Sequence, residues 1–539
     1  MESAGGIVMV DGSTAYQLHE KEVQEIEIAE SPVKYCSVTL SDVISRGKRL
    51  EASVFDVESM HAYQVISGGK YLAVPLIGDK SPVKKAYYGA RLKRNYVAST
   101  HLNAVGFVGS SEMLDCYPRP VKFMEDTEKT KDLHVKYGDI LISRSGTIGN
   151  LTFVSKTLEK LLVSEHAIRL ECRECPGYVY AFLKSSVGQL LIRSNVYGAV
   201  IQEIEPEHLA TIPIPDAPWS IKKRINDLIV ASYELRDASN ALIDEATALL
   251  VRELQFPDIH DFDVALYKKH STVDTFSVKL SEMDGRVDAS YHVPIVDAIV
   301  EHMKKYAAEV TTVGDSRVSK EVILPGRFKR VYVDSGYGRV FIGGKQLYEL
   351  DPSNKKYLSI VHHEERISKQ LELHEGMTLI TCSGTIGKVT LVGKHWENWT
   401  ANQHIIRVVP ASKDIAGYLS IFLASDYGYP LITHYTYGSV VDEIDDTHVR
   451  SIPFPLLKDR AVQKQINDLA LQANEKRYEA YQLEQQALKI MDKEVIFADK
   501  TDKTDSKMNS SNRYTYNFSS VPSSRVAEDK APYGKKSDK

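Results

Sequence analysis

The chain is written twice. Gly138 to Gly149 reads Gly-Asp-Ile-Leu-Ile-Ser-Arg-Ser-Gly-Thr-Ile-Gly, and Gly376 to Gly387 reads Gly-Met-Thr-Leu-Ile-Thr-Cys-Ser-Gly-Thr-Ile-Gly, a step of 376 − 138 = 238 residues. Six further segments keep nearly the same step and the same order. Arg49-Leu-Glu-Ala-Ser53 answers Arg286-Val-Asp-Ala-Ser290, and Arg91-Leu-Lys-Arg-Asn-Tyr-Val97 answers Arg327-Phe-Lys-Arg-Val-Tyr-Val333. His166-Ala-Ile-Arg169 matches His404-Ile-Ile-Arg407, and Tyr197-Gly-Ala-Val-Ile-Gln-Glu-Ile204 matches Tyr437-Gly-Ser-Val-Val-Asp-Glu-Ile444. Ile212-Pro-Ile-Pro215 matches Ile452-Pro-Phe-Pro455, and Lys223-Arg-Ile-Asn-Asp-Leu228 matches Lys464-Gln-Ile-Asn-Asp-Leu469. A fixed period of this kind constrains the architecture before local propensity does: 539 residues hold two tandem copies of one unit.

Ahead of each Pro-x-Pro exit, short β-branched and aromatic runs punctuated by glycine, such as Asp139 to Ser143 and Val331 to Val333, predict strands. Behind each exit comes a long helix. In copy one, Ile225, Ser232, Ser239 and Ala246 alternate with Leu228, Leu235, Leu242 and Leu249, a heptad seam with both core positions filled. In copy two, Ile466, Ala473, Ala480 and Ala487 alternate with Leu469, Lys476, Leu483 and Ile490. Small residues along one flank let two such helices approach closely, and copies related by a pseudo-twofold should pair them antiparallel. The predicted fold class is α+β: two tandem pseudo-symmetric, mostly-β modules, each followed by a long helix, with the two helices forming an antiparallel coiled coil. The expected divisions are an N-terminal extension (1–34), a first module (35–216), its helix (217–254) and a linker (255–276). A second module (277–456), its helix (457–495) and a disordered tail rich in Ser, Lys, Asp and Asn (496–539) follow.

Composition narrows the function. The 67 Lys and Arg residues against 72 Asp and Glu leave a net charge of -5, so the chain does not coat polyanions through bulk positive charge. Contact with nucleic acid must come from local patches. Five cysteines in a chain this long predict reduced thiols rather than a disulfide framework. No basic leader precedes an apolar stretch and no run reaches roughly 18 apolar residues, so a cytoplasmic protein without membrane contact is expected.

Catalytic constellations are missing from the sequence. Ser383-Gly-Thr-Ile-Gly-Lys388 has the outline of a phosphate-binding loop, but Cys382 stands where that motif needs Gly and Val389 where it needs Ser or Thr. The first copy has Asn150 in place of the lysine, and a tight turn with glycines at positive φ is the better reading. Cys172-Arg-Glu-Cys175 has the spacing of half a zinc site with no second pair to complete it. His166 and His404 recur beside arginines on apolar strands and read as buried, hydrogen-bonded histidines. No metal or cofactor is expected, and the chain itself is expected not to be an enzyme.

The positive signal is repeated charge. Lys84, Lys85, Arg91, Lys93 and Arg94 lie among Tyr87, Tyr88 and Tyr96 with no acid from Lys84 to Val97, a local charge of +5. Copy two offers Arg327, Lys329, Arg330 and Arg339 with Tyr332 and Tyr337 against Asp334, or 4 − 1 = +3. Cations that neutralise phosphates, with planar donors and aromatic rings able to reach base edges, are what a DNA-facing surface needs.

These modules, with their Arg-[Leu/Val]-acid-Ala-Ser starts, Gly-rich turns, Tyr-Gly-x-Val strands, Ile-Pro-x-Pro exits and long helices, closely resemble the specificity subunit of type I restriction-modification systems. The resemblance covers about Val38 to Met491. It implies two target recognition domains, each reading one half of a split sequence in double-stranded DNA. It implies that two methyltransferase subunits, and in many systems a translocating restriction subunit, dock on the helical regions and supply all catalysis with S-adenosylmethionine and ATP. It also sets Arg144, Ser145 and Thr147 in copy one, and Ser383, Thr385 and Lys388 in copy two, beside the DNA with the basic segments. Copy two departs from the pattern with Met377 and Cys382 where copy one has Asp139 and Arg144, and copy one departs at Trp219-Ser-Ile-Lys-Lys, where copy two keeps Gln463. The alternative is a scaffold or adaptor in a defence complex that binds a methyltransferase through its helices without reading a sequence. As a ruler, the 31 residues from Ile221 to Val251 would span roughly 46 Å, or about 13 to 14 base pairs.

Overall fold

The computed structural model describes residues 7–10, 14–17, 38–45, 52–146, 148–197, 202–262, 264, 275–283 and 285–499. Thr147, and the tail expected to be disordered from residue 500 on, lie outside the described residues.

In the first half, β1 (Val83–Tyr87), β2 (Tyr96–Val97), β3 (Ala104–Val108), β4 (Lys122–Glu125), β5 (Ile140–Ser143), β6 (Leu151–Phe153), β7 (Leu162–Val163) and β8 (Ala167–Cys172) make two four-stranded sheets. Their orders are β1-β8-β5-β6 and β7-β3-β4-β2. In the second half the strands are β9 (Ser319–Ile323), β10 (Tyr332–Val333), β11 (Gly338–Ile342), β12 (Lys356–Ser359), β13 (Thr378–Thr381), β14 (Val389–Leu391), β15 (Thr400–Ala401) and β16 (Ile405–Pro410). They pair as β9-β16-β13-β14 and β15-β11-β12-β10, so each strand's counterpart stands eight strands on. The proline exits pair as well: Pro213–Pro215 runs antiparallel to Ala73–Pro75, and Pro453–Leu456 to Glu309–Thr312. Strands β5 and β13 are buried at every residue, as an unbroken branched-apolar run requires when a strand is covered on both faces. Helices fill more of each half than the expected mostly-β module allows, and the chain is a mixed helix and sheet protein.

Arg169 on β8 and Arg407 on β16 are both 0% exposed. Arg169 donates to the carbonyls of Ala167, Val163 and Leu133 at 3.0, 2.7 and 3.2 Å. Arg407 donates to those of Asn402 and Leu371 at 3.1 and 3.3 Å, and to those of Ile405 and Ala401. Val163 belongs to β7 and Ala401 to β15, so one guanidinium joins the two sheets of each half. Burial lowers both pKa values, that of Arg407 to about 9, which leaves Arg407 charged at neutral pH.

Helix α1 (Pro176–Lys184) and helix α3 (Lys413–Leu423) pack beneath the sheets, and the long helices are α2 (Trp219–Glu253) and α4 (Arg460–Ile490). Contacts between Arg224 and Glu494, Arg236 and Glu484, and Ser239 and Arg477 fix an antiparallel course. Ser232 Oγ donates to the Ala480 carbonyl at 2.7 Å, an approach that larger side chains would block. Ile225, Ser232, Ser239, Ala246, Ile466, Ala473, Ala480 and Ala487 are all buried, as the seam requires. Their partners lie four residues on rather than three. Ile229, Arg236, Leu250, Ala470, Glu484 and Met491 are buried, while Leu228, Leu235, Leu242, Leu483 and Ile490 stay half-buried. Leu249 and Leu469 are buried where expected. The stripe is rotated because α2 packs on α1 of its own half as well, with Tyr233 buried against Tyr180 and Asn240 donating to the Cys116 carbonyl at 3.1 Å.

Each long helix starts against its own half and ends in the other. Ile225, Ile229 and Tyr233 share the first half's core with Ala487, Met491, Val495 and Ile496. Ala246, Leu249, Leu250, Leu254 and Phe256 share the second half's core with Ile466, Leu469 and Ala470. The expected linker therefore begins packed, with Phe256 stacked on Tyr427 at 3.9 Å between centroids. Among the described residues no helix is long and apolar enough to cross a membrane.

Two arms also cross between the halves, residues 112–119 from the first and 345–355 from the second, and meet where the Cys116 N–H donates to the Tyr348 carbonyl at 2.7 Å. At the crossing, burial pushes the Asp115 carboxyl up to about 7 against the pull of Lys388, with Glu349 and Glu112 adding to the rise. Glu349 also rises to about 7 by burial, opposed by Lys184 and Lys388 and aided by Asp351.

Two outcomes follow from this packing. Met491→Ala should cost about 2–5 kcal/mol, with hydrogen exchange rising first in the first half, from Ile225 to Tyr233; a rise confined to the second half would contradict the reciprocal anchoring. Raised carboxylate pKa values contribute stability that is full below the unfolded values, 3.8 and 4.5, and is lost as pH climbs through about 7. Asp115→Asn with Glu349→Gln should therefore raise the melting temperature at pH 8 relative to the parent and have less effect near pH 4, and a shift equal at both would refute the assignment.

Candidate nucleic-acid interface

The turn after β5 closes because Gly146 and Gly149 take φ of 78° and 85°; after β13, Gly384 and Gly387 take 76° and 86°. These are left-handed conformations in which an L side chain is strained. The turn sets Ser145 Oγ 3.1 Å from His166 Nδ1 and bridges Ser145 to Glu203. The basic segment reaches the same place. Arg94 donates to Glu165 Oε1 at 2.9 Å and to Ser164 Oγ at 3.4 Å, with its guanidinium 5.2 Å from the Phe107 ring. Arg91 and Lys93 on that segment are exposed and form no ion pair among the described residues.

The second half builds the same meeting with different bonds. Arg327 donates to Glu443 Oε1 at 3.1 Å, and Ser383 Oγ donates to the same oxygen at 3.4 Å. Arg330 donates to Gln403 Oε1 at 3.0 Å, and Gln403 Nε2 lies 3.0 Å from His404 Nε2. Lys329 is exposed without an ion pair among the described residues, and Thr385 is exposed at the tip of the turn. Burial and the Arg330 charge hold the His404 imidazole below its ordinary pKa, which favours a neutral ring. Each half thus brings its basic segment, a turn hydroxyl and an imidazole close together.

Arg144 corrects the sequence reading. It is 3% exposed, held by Glu203 at 2.9 Å and by Glu205, and lies 4.5 Å from the Tyr88 ring. Two carboxylates already satisfy its charge, so it braces the loop rather than facing solvent. The second half keeps both acids as Glu443 and Asp445, loses the arginine as Cys382, and lends Arg327 to Glu443 from the basic segment. His166 and His404 are half-exposed rather than buried, because the turns lift them to the edge of the sheet.

The other predicted residues are dispersed. Lys84 pairs with Glu171 at 2.8 Å, and Lys85 sits 4.3 Å from the Tyr87 ring. Tyr96 is exposed beside Phe107, and Tyr332 is half-buried beside Phe341. Arg339 is engaged by Glu372 at 3.1 Å, and Lys388 faces the Tyr348 ring on the second arm at 4.9 Å. Glu165, Glu203, Gln403 and Glu443 were not singled out, although Glu203 and Glu443 occupy matched places in a repeated segment. Ser145, His166 and Glu165 resemble a hydroxyl, imidazole and carboxylate relay, but Glu165 stands 3.7 Å from the ring and is spent on Arg94. In the second half Ser383 turns to Glu443 instead, so the two halves do not share that relay. Among the described residues no three His, Cys, Asp or Glu side chains group to hold a metal, and Cys116, Cys172, Cys175 and Cys382 are free thiols.

No protein-family model matches the chain, and no curated protein matches it. Among solved structures it is similar to the S subunit of the type I restriction-modification system from M. genitalium, at 12% identity over 78% of this chain and 97% of that one, with a TM-score of 0.28. It is similar to the HsdS subunit from Thermoanaerobacter tengcongensis at 13% identity, over 72% and 89% of the two chains, with a TM-score of 0.24. A chain from a structure of type I R-M complex assembly and conformational transition matches at 14% identity, over 76% and 98%, with a TM-score of 0.23. A likeness at those TM-scores is too loose to assign a role to any residue.

The turns offer a direct check of the geometry. A Cβ on Gly384 would meet nothing within 4 Å, so Gly384→Ala should cost only backbone strain, about 1–2 kcal/mol. Gly387→Ala adds a contact 3.0 Å from Tyr429 Cε2 and should cost more by urea denaturation. Equal costs would argue against the packing of this turn on Tyr429.

Proposed function

We propose that this chain is the DNA-specificity subunit of a type I-like restriction-modification, or related phage-defence, complex. Its halves are two target recognition domains that each read one part of a bipartite duplex sequence, and α2 with α4 is the antiparallel coiled coil that joins them. The chain is non-catalytic in this reading; two methyltransferase subunits, with a restriction subunit where the system has one, dock on the helices and act on the DNA. The observation that carries the reading is the repeated meeting of a basic segment with a Ser-Gly-Thr-Ile-Gly turn, through Arg94 and Glu165 in one half and Arg327 and Glu443 in the other. Unpaired Arg91, Lys93 and Lys329 then stand free to neutralise phosphates, while Ser145, His166, Ser383 and His404 present hydrogen-bonding groups to base edges. Two short readings on one rigid body combine their free energies through a high effective concentration.

The test is selection of bound duplexes from a random pool by electrophoretic shift. One bipartite sequence supports the reading, whereas uniform binding, or none, points to a scaffold that recruits a methyltransferase without reading DNA. On the selected duplex, Arg91→Ala with Lys93→Ala should lower the slope of log K against log salt by about 2, at roughly 0.9 for each lost phosphate contact. An unchanged slope would move the DNA face elsewhere.

A further inference from the structure

The two arms are exchanged reciprocally, and their anchors are equivalent. Arg119, at the end of the first arm, donates to the Ala424 carbonyl at 3.0 Å, at the close of α3. Lys184, at the close of α1, donates to the Asp351 carbonyl at 3.2 Å and to Ser353 Oγ at 2.8 Å on the second arm. Residues 184 and 424 differ by 424 − 184 = 240, the same step as the neighbouring Tyr197 and Tyr437 segments. On the long helices the first arm is held by Tyr117 on Asp244, and the second by Gln485 on Asp351 at 3.0 Å. Asp244 and Gln485 differ by 485 − 244 = 241, again matched positions. Asn354 adds hydrogen bonds with Arg193 and, at 3.0 Å, with Asn150 in the first half.

A helix pair alone leaves two globular bodies free to rock about its axis. Two arms that cross and meet, each fastened to the other body, remove that freedom and set a distance as well as a rotation. We propose that the arm exchange, and not helix length alone, sets the gap between the two DNA half-sites, with Arg119 and Lys184 as its spacing-determining residues. The proposal rests on the bipartite DNA reading. Neither residue belongs to the candidate DNA surface.

The experiment uses the full chain, the Arg119→Ala, Lys184→Ala double variant and each single variant, with circular dichroism to verify folding. Fluorophores attached through an unnatural amino acid at exposed Leu102 and Val361 report the distance between halves and leave the native cysteines alone. In parallel, bound duplexes are selected from a pool with random half-sites and variable gaps. The parent should show a narrow distance distribution and one gap. The double variant should broaden the distribution by more than about 3.4 Å, the rise of one base pair, and should accept at least one additional gap with half-sites unchanged. The single variants should fall between, so loss of fold in the double variant leaves the measurement intact. Distances and gap identical to the parent's in folded variants would overturn the proposal. Broadened distances with no bipartite sequence selected by any form would instead defeat the DNA reading and leave the mechanical clamp standing.

Discussion

The close approach of two helices is the constraint from which the rest of this structure follows. It exists because Ser232, Ser239 and Ala246 on one helix face Ala473, Ala480 and Ala487 on the other, all buried. Short side chains let a serine hydroxyl reach a main-chain carbonyl across the seam. Once the axes are that near and antiparallel, the C-terminal end of each helix has nowhere to go but the opposite core. Met491 and Leu250 become core residues of halves to which they do not belong in sequence. The molecule is therefore two repeats by sequence and one cooperative body by packing.

Small side chains bring helices together but say little about register. That information sits at Arg236 and Glu484, a buried pair that also receives the Tyr180 hydroxyl at 2.8 Å. Burial pushes the Glu484 pKa up, and Arg236, Lys184 and the hydrogen bonds from Tyr180 and Arg236 more than reverse it, so the carboxylate stays ionised. The step of 241 between helices carries Glu484 back to Ile243, and Arg236 forward to Arg477. The pseudo-twofold therefore generates no second copy of the pair. A slip of one turn would leave a guanidinium and a carboxylate buried without each other, at a cost of several kcal/mol. Symmetry supplies the closeness, and one break in symmetry supplies the alignment.

Much of this was legible in the sequence. The step of 238 foretold matching strand orders, the glycines foretold turns at positive φ, and the small positions of both seams were read correctly. Leu228, Leu235, Leu242 and Leu483 were not the partners, while Leu249 and Leu469 were, because a heptad assumes one neighbouring helix and α2 has α1 against it as well. Arg144 looked solvent-facing in a Gly-rich loop because the acids that bury it, Glu203 and Glu205, arrive from about sixty residues away. The arms left no trace at all. Their key acceptors are the main-chain carbonyls of Ala424, Asp351 and Tyr348, and a carbonyl is the same in every residue.

That indifference of main-chain acceptors has a larger consequence at Arg169 and Arg407. Each guanidinium fastens the two sheets of its half together by holding backbone oxygens alone, so this link makes no demand on the side chains of the residues that accept it. Side chains at those acceptor positions can change without loosening this link, whereas Val108 and Val163 still pack on Leu141 and Ala167 across the same junction.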